Sequence, residues 1–150
     1  MPLEIERKFL VNSDKWIALH KPEPELIRQG YLLIDVDKTI RVRLKGEKGF
    51  ITIKGKTTGA VRDEYEYEIP VNEAHELLDK FAVSKLFKRR YEIEYSGKTW
   101  EVDLFEGVHQ GLILAEIELS SESETFEKPD WVGEEVTGDV RYYNSYLAGT

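Results

Sequence analysis

The chain has 150 residues, no cysteine and a formal net charge of −8. That length fits one domain, 1–150, with a real core, and the missing cysteines exclude disulfides, thiolate nucleophiles and Cys-based zinc sites. The negative balance disfavours nonspecific binding to nucleic acid or to an anionic membrane, both of which need a cationic face; an anionic small molecule stays open if the bases converge at one place.

Period-two alternation predicts eight strands, near 2–11, 26–34, 39–45, 49–55, 61–69, 86–95, 98–106 and 111–119. Turn chemistry separates many of them, at Asp35-Val36-Asp37-Lys38, Gly46-Glu47-Lys48-Gly49, Ser96-Gly97 and His109-Gln110-Gly111. Such short connections imply antiparallel hairpins. Ahead of the second strand, Trp16–Leu19 reads as a helical turn before a loop with Pro22 and Pro24. After Pro70, Asn72 reads as the N-cap of a helix with Ala74, Leu77, Leu78 and Phe81 along one face. Ser120–Asp130 reads as an acidic surface loop and Arg141–Ala148 as a short last helix. No apolar run approaches a membrane span. The opening Met1-Pro2-Leu3-Glu4 enters charged sequence at once, so no secretory leader is expected and a cytoplasmic location is the default.

Parity then sorts the charges. Glu4, Glu6 and Lys8 share one face of the first strand, with Ile5, Arg7 and Phe9 opposite. Arg41 and Arg43 share a face, as do Thr52 and Lys54, and then Glu64, Glu66 and Glu68. Lys88 and Arg90 go together, followed by Glu101 with Asp103 and by Glu116 with Glu118. For any single strand this pattern reads first as a half-exposed sheet, apolar inside and polar outside. The set says more. Its polar positions are mostly full charges, and they are segregated, with bases on the third, fourth and sixth strands and acids on the fifth, seventh and eighth. Eight antiparallel strands can close into a barrel. With the charged face inward, the lumen is a polar tunnel, and helices or a second copy of the chain in a homodimer must cover the apolar outside. Buried charges need partners. A polyanion with divalent cations would complete the balance, because guanidinium and ammonium groups hold phosphate oxygens and carboxylates hold hard ions such as Mg²⁺ or Mn²⁺.

Glu4-Ile5-Glu6-Arg7-Lys8 has the E-x-E-x-K spacing of the triphosphate tunnel metalloenzymes, the CYTH superfamily, and the chain resembles a compact bacterial-type member. The resemblance continues through Arg41-Val42-Arg43, Thr52-Ile53-Lys54, Glu64–Ile69, Lys88–Arg90, Trp100–Phe105, Ala115–Leu119 and the ending Glu135–Tyr142. It implies an eight-stranded antiparallel tunnel that processes a triphosphate with a divalent metal. By resemblance, Lys8, Arg41, Arg43, Lys54 and Arg90 match phosphate-binding bases, and Glu4, Glu6, Asp103, Glu116 and Glu118 match metal-binding acids. Glu66 and Glu68 match acids of the middle strand, and Lys88 matches a second lysine position. Lys88, with Tyr31 of the second strand, next to the arginine strand, is the candidate for orienting or deprotonating an attacking water. Arg7 falls outside the tunnel.

Competing chemistries find little support. His20, His75 and His109 lack metal-ligand spacing, no serine has a Ser-His-acid context, and no G-x-x-x-x-G-K-[ST] loop is present. A tunnel built on charge needs no base-specific pocket, so inorganic tripolyphosphate is the first expected substrate. Thiamine triphosphate, nucleoside triphosphates and class IV adenylyl cyclase chemistry are the family alternatives. A nonenzymatic polyphosphate-binding module is the rival of another class; it would need the bases but not all the acids.

Overall fold

The computed structural model of the chain describes residues 3–149. The expected start of the first strand at Pro2, and the outermost residues of the expected 1–150 domain, lie outside the described residues. Within them the alternating stretches form β1 (Leu3–Val11), β2 (Glu25–Ile34), β3 (Lys38–Lys45), β4 (Lys48–Gly55), β5 (Val61–Ile69), β6 (Ser84–Tyr95), β7 (Lys98–Phe105) and β8 (Ile113–Glu118). All neighbouring pairs are antiparallel. The strands run in the order β5-β4-β3-β2-β6-β7-β8-β1, and β1 pairs back onto β5 to close an eight-stranded barrel.

One strand escapes the alternation pattern. β9 (Val132–Glu135) pairs with β1 at Phe9 and Val11, on the edge that β5 leaves after Ile5. Its four residues carry a glycine and two adjacent acids, so no period can be read from them.

Three helices cover the barrel. α1 (Ser13–Ala18) starts at Asn12, whose side chain accepts a hydrogen bond from Lys15 N. α2 (Val71–Phe81) starts one step before the expected cap. Pro70, not Asn72, is the N-cap, with no side-chain cap bond, and its carbonyl accepts from Ala74 N at 3.0 Å. The last expected helix divides. A 3-10 turn spans Val140–Tyr142, Tyr143 is extended, and α3 (Asn144–Ala148) follows. The break lets the chain change direction while Lys8 Nζ donates to the Tyr142 carbonyl at 2.9 Å.

Many of the outward apolar positions are covered by the chain's own elements. Phe9, Trp100, Val102, Ala115 and Ile117 pack under Trp16 of α1, Trp131 and Val132. Val42 and Leu44 pack under Ala74 and Leu78 of α2. Ile53, Tyr65 and Tyr67 of the β4–β5 face stay exposed. α2 sits close because Gly49 makes room: a Cβ there would lie 2.6 Å from the Ala74 Cβ. Gly49→Ala is therefore expected to destabilise the fold by about 1–3 kcal/mol, read as a lowered midpoint in thermal denaturation.

The inward face changes character along the barrel. Leu86 shares parity with Lys88, Phe105 with Asp103, and Leu114 with Glu116, yet these three form an apolar cluster with Leu147 of α3. Beyond the charged layer the barrel interior is thus an apolar seat, and α3 is docked in it. Its position is fixed further by His109 Nε2, 2.7 Å from the Leu147 carbonyl.

Candidate active site

The charged layer encloses a cavity of about 230 Å³. β1 supplies Glu4, Glu6 and Lys8 to its wall, β2 Tyr31, and β3 Arg41 and Arg43. β4 supplies Thr52 and Lys54, β5 Glu66, β6 Lys88 and Arg90, and β8 Glu116 and Glu118. These are positions that parity assigns to one face. Two expected residues are placed elsewhere. Asp103 does not line the cavity; it is buried behind Lys88 and Arg90. Glu68 is exposed and pairs in register with Phe50, past the charged layer. The cavity wall also holds Arg62, Glu64 and Glu101, and from the C-terminal segment Tyr143, Asn144 and Ser145. Arg62 continues the parity of Glu64 and Glu66, so extending that pattern by one step would have found it. Nothing periodic marks Asn144.

Cross-strand register sets the ion pairs. Lys8 stands opposite Glu116, 3.9 Å away. Lys54 Nζ donates to Glu4 at 2.9 Å, and Arg62 Nε donates to the same carboxylate at 3.1 Å. Against the cost of burial, Lys54 and Arg62 hold the Glu4 carboxyl well below the usual carboxylate range. Arg90 grips Asp103 with two bonds, Nε to Oδ1 at 2.8 Å and Nη2 to Oδ2 at 2.9 Å. This forked pair is the strong geometry for a guanidinium and a carboxylate. It keeps Asp103 ionised despite complete burial, with Lys88 adding to the effect.

The bases are less well satisfied than the acids beside them. Arg41 and Arg43 each keep a buried Nε without an acceptor among the described residues. Arg43 is pushed down to about 10, by burial first and then by the like charges of Arg41 and Arg90. Lys88 is pushed down to about 7, chiefly by burial. Three guanidiniums and unspent N–H donors around one small polar cavity form an anion site.

Where β1 meets β8, carboxylates of the lining crowd one another. Burial pushes the Glu6 carboxyl well up, and Glu116 and Glu4 push in the same direction. Glu118 is also raised, by burial and then by Glu4. No group of three or more His, Asp or Glu side chains among the described residues is arranged to hold an ion as it stands. The chemistry still fits a hard divalent cation, since Glu4, Glu6, Glu116 and Glu118 are oxygen donors on adjacent strands whose mutual repulsion a cation relieves. Asp103 is committed to Arg90 and Lys88 and is the expected ligand that fits this role least.

A closed antiparallel barrel whose lumen is lined by many bases as well as acids defines a protein that receives a small polyanion. The CYTH domain family model matches residues 2–143, and the chain belongs to that family. An inorganic triphosphatase of Acetivibrio thermocellus is 51% identical over 148 residues, covering 98% of this chain and 94% of that protein. An inorganic triphosphatase of Nitrosomonas europaea is 39% identical over 149 residues, covering 97% and 96%. A solved inorganic triphosphatase structure superposes with a TM-score of 0.68 at 36% identity, covering 100% of this chain and 97% of that one. Among the described residues no helix is long and apolar enough to cross a membrane.

Proposed function

We propose that the chain is a divalent-metal-dependent hydrolase that cleaves inorganic tripolyphosphate to diphosphate and phosphate. The observation that carries this reading is one cavity lined together by Arg41, Arg43 and Arg90 and by Glu4, Glu6 and Glu116. Its volume of about 230 Å³ lies below that of sites for drug-sized organic molecules, which suits a ligand that is almost all phosphate. The two curated relatives, both inorganic triphosphatases, support it.

In this reading Lys8, Arg41, Arg43, Lys54 and Arg90 bind and align the phosphate chain, spreading its charge over donors already in place. Glu4, Glu6, Glu116 and Glu118 would hold Mg²⁺ or Mn²⁺, which when bound neutralises phosphate oxygens as a Lewis acid. A water attacks the terminal phosphorus in line, the bond to the bridging oxygen breaks, and diphosphate leaves. Lys88, buried and poised near neutrality, takes the proton from that water; Tyr31 lines the same cavity and orients it. No side chain serves as a phosphoryl acceptor in this scheme.

The sign of the pH dependence follows. Below about 7 Lys88 is an ammonium and cannot accept a proton; above it the amine is free. The rate constant kcat/KM for tripolyphosphate is expected to rise with pH through this region, and Lys88→Met is expected to remove that limb as well as most of the rate. Stopped or continuous phosphate assays across pH check it.

One observation favours a second reading, an organic triphosphate. A second cavity of about 350 Å³ adjoins the first, sharing Thr39, Arg62, Tyr143 and Ser145, and adds Ile34, Val36, Val140 and Tyr146 to its wall. Phosphate release from tripolyphosphate, thiamine triphosphate, ATP and GTP with Mg²⁺, Mn²⁺ and Ca²⁺ separates the readings. Tripolyphosphate should be the fastest substrate, and Glu116→Ala should bind it without turnover. Faster release from a nucleotide would favour the second reading. Binding without turnover by wild type, with every ion, would leave only a binding module.

A further inference from the structure

Lys88 is 1% exposed and its amine is held at two points. Nζ donates to Asn144 Oδ1 at 2.7 Å and lies 2.7 Å from Asp103 Oδ2. A tetrahedral nitrogen with its own carbon and two acceptors has one direction left, and Lys88 lines the cavity. Asp103 alone cannot set that direction, because a single contact leaves the amine free to turn about the line to Oδ2. A lysine side chain is flexible about four bonds and needs a second anchor to hold one orientation.

Asn144 is built to be that anchor. It opens α3, whose Leu147 is buried in the apolar seat and whose carbonyl at Leu147 meets His109. Its Oδ1 also accepts from Gln29 Nε2 at 3.3 Å, and Gln29 is fully buried. Two donors converging on one oxygen fix which way the amide faces. The anchor is also neutral. Asp103 already gives Lys88 one carboxylate, and a second in place of Asn144 would favour the ammonium further and repel an incoming polyanion; an amide carbonyl orients the amine without adding charge.

We propose that Asn144 is a positioning residue, which through its side-chain carbonyl aims the Lys88 amine at the reacting end of a bound triphosphate. This rests on the triphosphatase reading and on the role given there to Lys88. The substrate sits on other groups, so the effect belongs to kcat rather than to KM.

The test is a double-mutant cycle on the full chain with tripolyphosphate. Asn144→Ala is expected to lower kcat by about 10- to 100-fold, the range for residues that orient a working group, with KM moved by less than about threefold. In a Lys88→Met background the same change should alter the residual rate by less than about twofold, because the group it acts through is gone. Asn144→Ser keeps a shorter acceptor and should recover part of the loss; it also serves if the alanine variant fails to fold. A second readout needs no turnover. At mildly acid pH the buried Lys88 ammonium gives a proton–nitrogen correlation signal, assigned by its loss in Lys88→Met, and Asn144→Ala should shift or abolish it. Unchanged kcat, equal losses in both backgrounds, a change in KM alone, or an unmoved Lys88 signal would each overturn the proposal. Wild type that hydrolyses no triphosphate would sink the functional reading, while the Lys88 signal would still decide the Asn144 contact.

Discussion

Arg43→Ala is expected to lower the rate of tripolyphosphate hydrolysis by about 10²–10³-fold, the usual cost of losing one donor to a transferring group, without lowering the thermal midpoint. The two halves of that expectation have one cause. Arg43 is buried beside Arg41 and Arg90, and its guanidinium is pushed down to about 10 by burial and by those charges. Its partner is Glu66, 3.3 Å away and partly exposed, which also accepts from Thr52 at 2.7 Å. The folded protein without ligand therefore carries Arg43 at a cost, and a bound polyanion recovers it. Truncation removes the repulsion and the ligand contact together. Equal or raised stability with lost activity is the mark of a residue kept for binding. A large drop in stability would show instead that Arg43 serves the fold.

Asp103→Ala is expected to do the reverse. Removing this carboxylate leaves Arg90 and Lys88 buried without their shared partner, and breaking such a pair from one side costs about 3–5 kcal/mol. For a chain of this size that lowers the thermal midpoint by roughly 6–20 °C. The loss would appear in protein without metal and would not be recovered by raising the metal concentration. A metal ligand would behave differently: its removal would leave the metal-free protein as stable as before and would shift the metal dependence of the rate. Differential scanning calorimetry with and without Mg²⁺ separates the two roles.

Alternation made most of this fold legible. It marked eight of the nine strands to within three residues at either end among the described residues, and it assigned the lumen side of Glu4, Glu6, Lys8, Arg41, Arg43, Lys54, Arg90 and Glu116. Parity fails where cross-strand register decides. Asp103 has the right parity but faces Arg90 directly, so its charge is spent before it reaches the cavity. Glu68 has the parity of Glu66 but lies two residue pairs further along, opposite Phe50. Register depends on turn lengths and on closure between β1 and β5, which no single strand encodes. The C-terminal contribution was hidden for another reason. Tyr143, Asn144 and Ser145 reach the cavity from a broken helical segment with no repeat, and its place is set by Leu147 in the apolar seat and by Lys8 on Tyr142. The helix begins at Val71, so Asn72 falls inside its first turn and Pro70 takes the cap position without a side-chain bond.

In the proposed function one lumen lined by both bases and acids grips and cleaves a metal-complexed triphosphate. Phosphorus NMR of tripolyphosphate incubated with the protein and Mg²⁺ tests it most directly. The tripolyphosphate signals are expected to disappear with matched growth of one diphosphate and one phosphate, and to stay unchanged when the ion is chelated. Unaltered tripolyphosphate with Mg²⁺, and again with Mn²⁺ by phosphate assay, would contradict it.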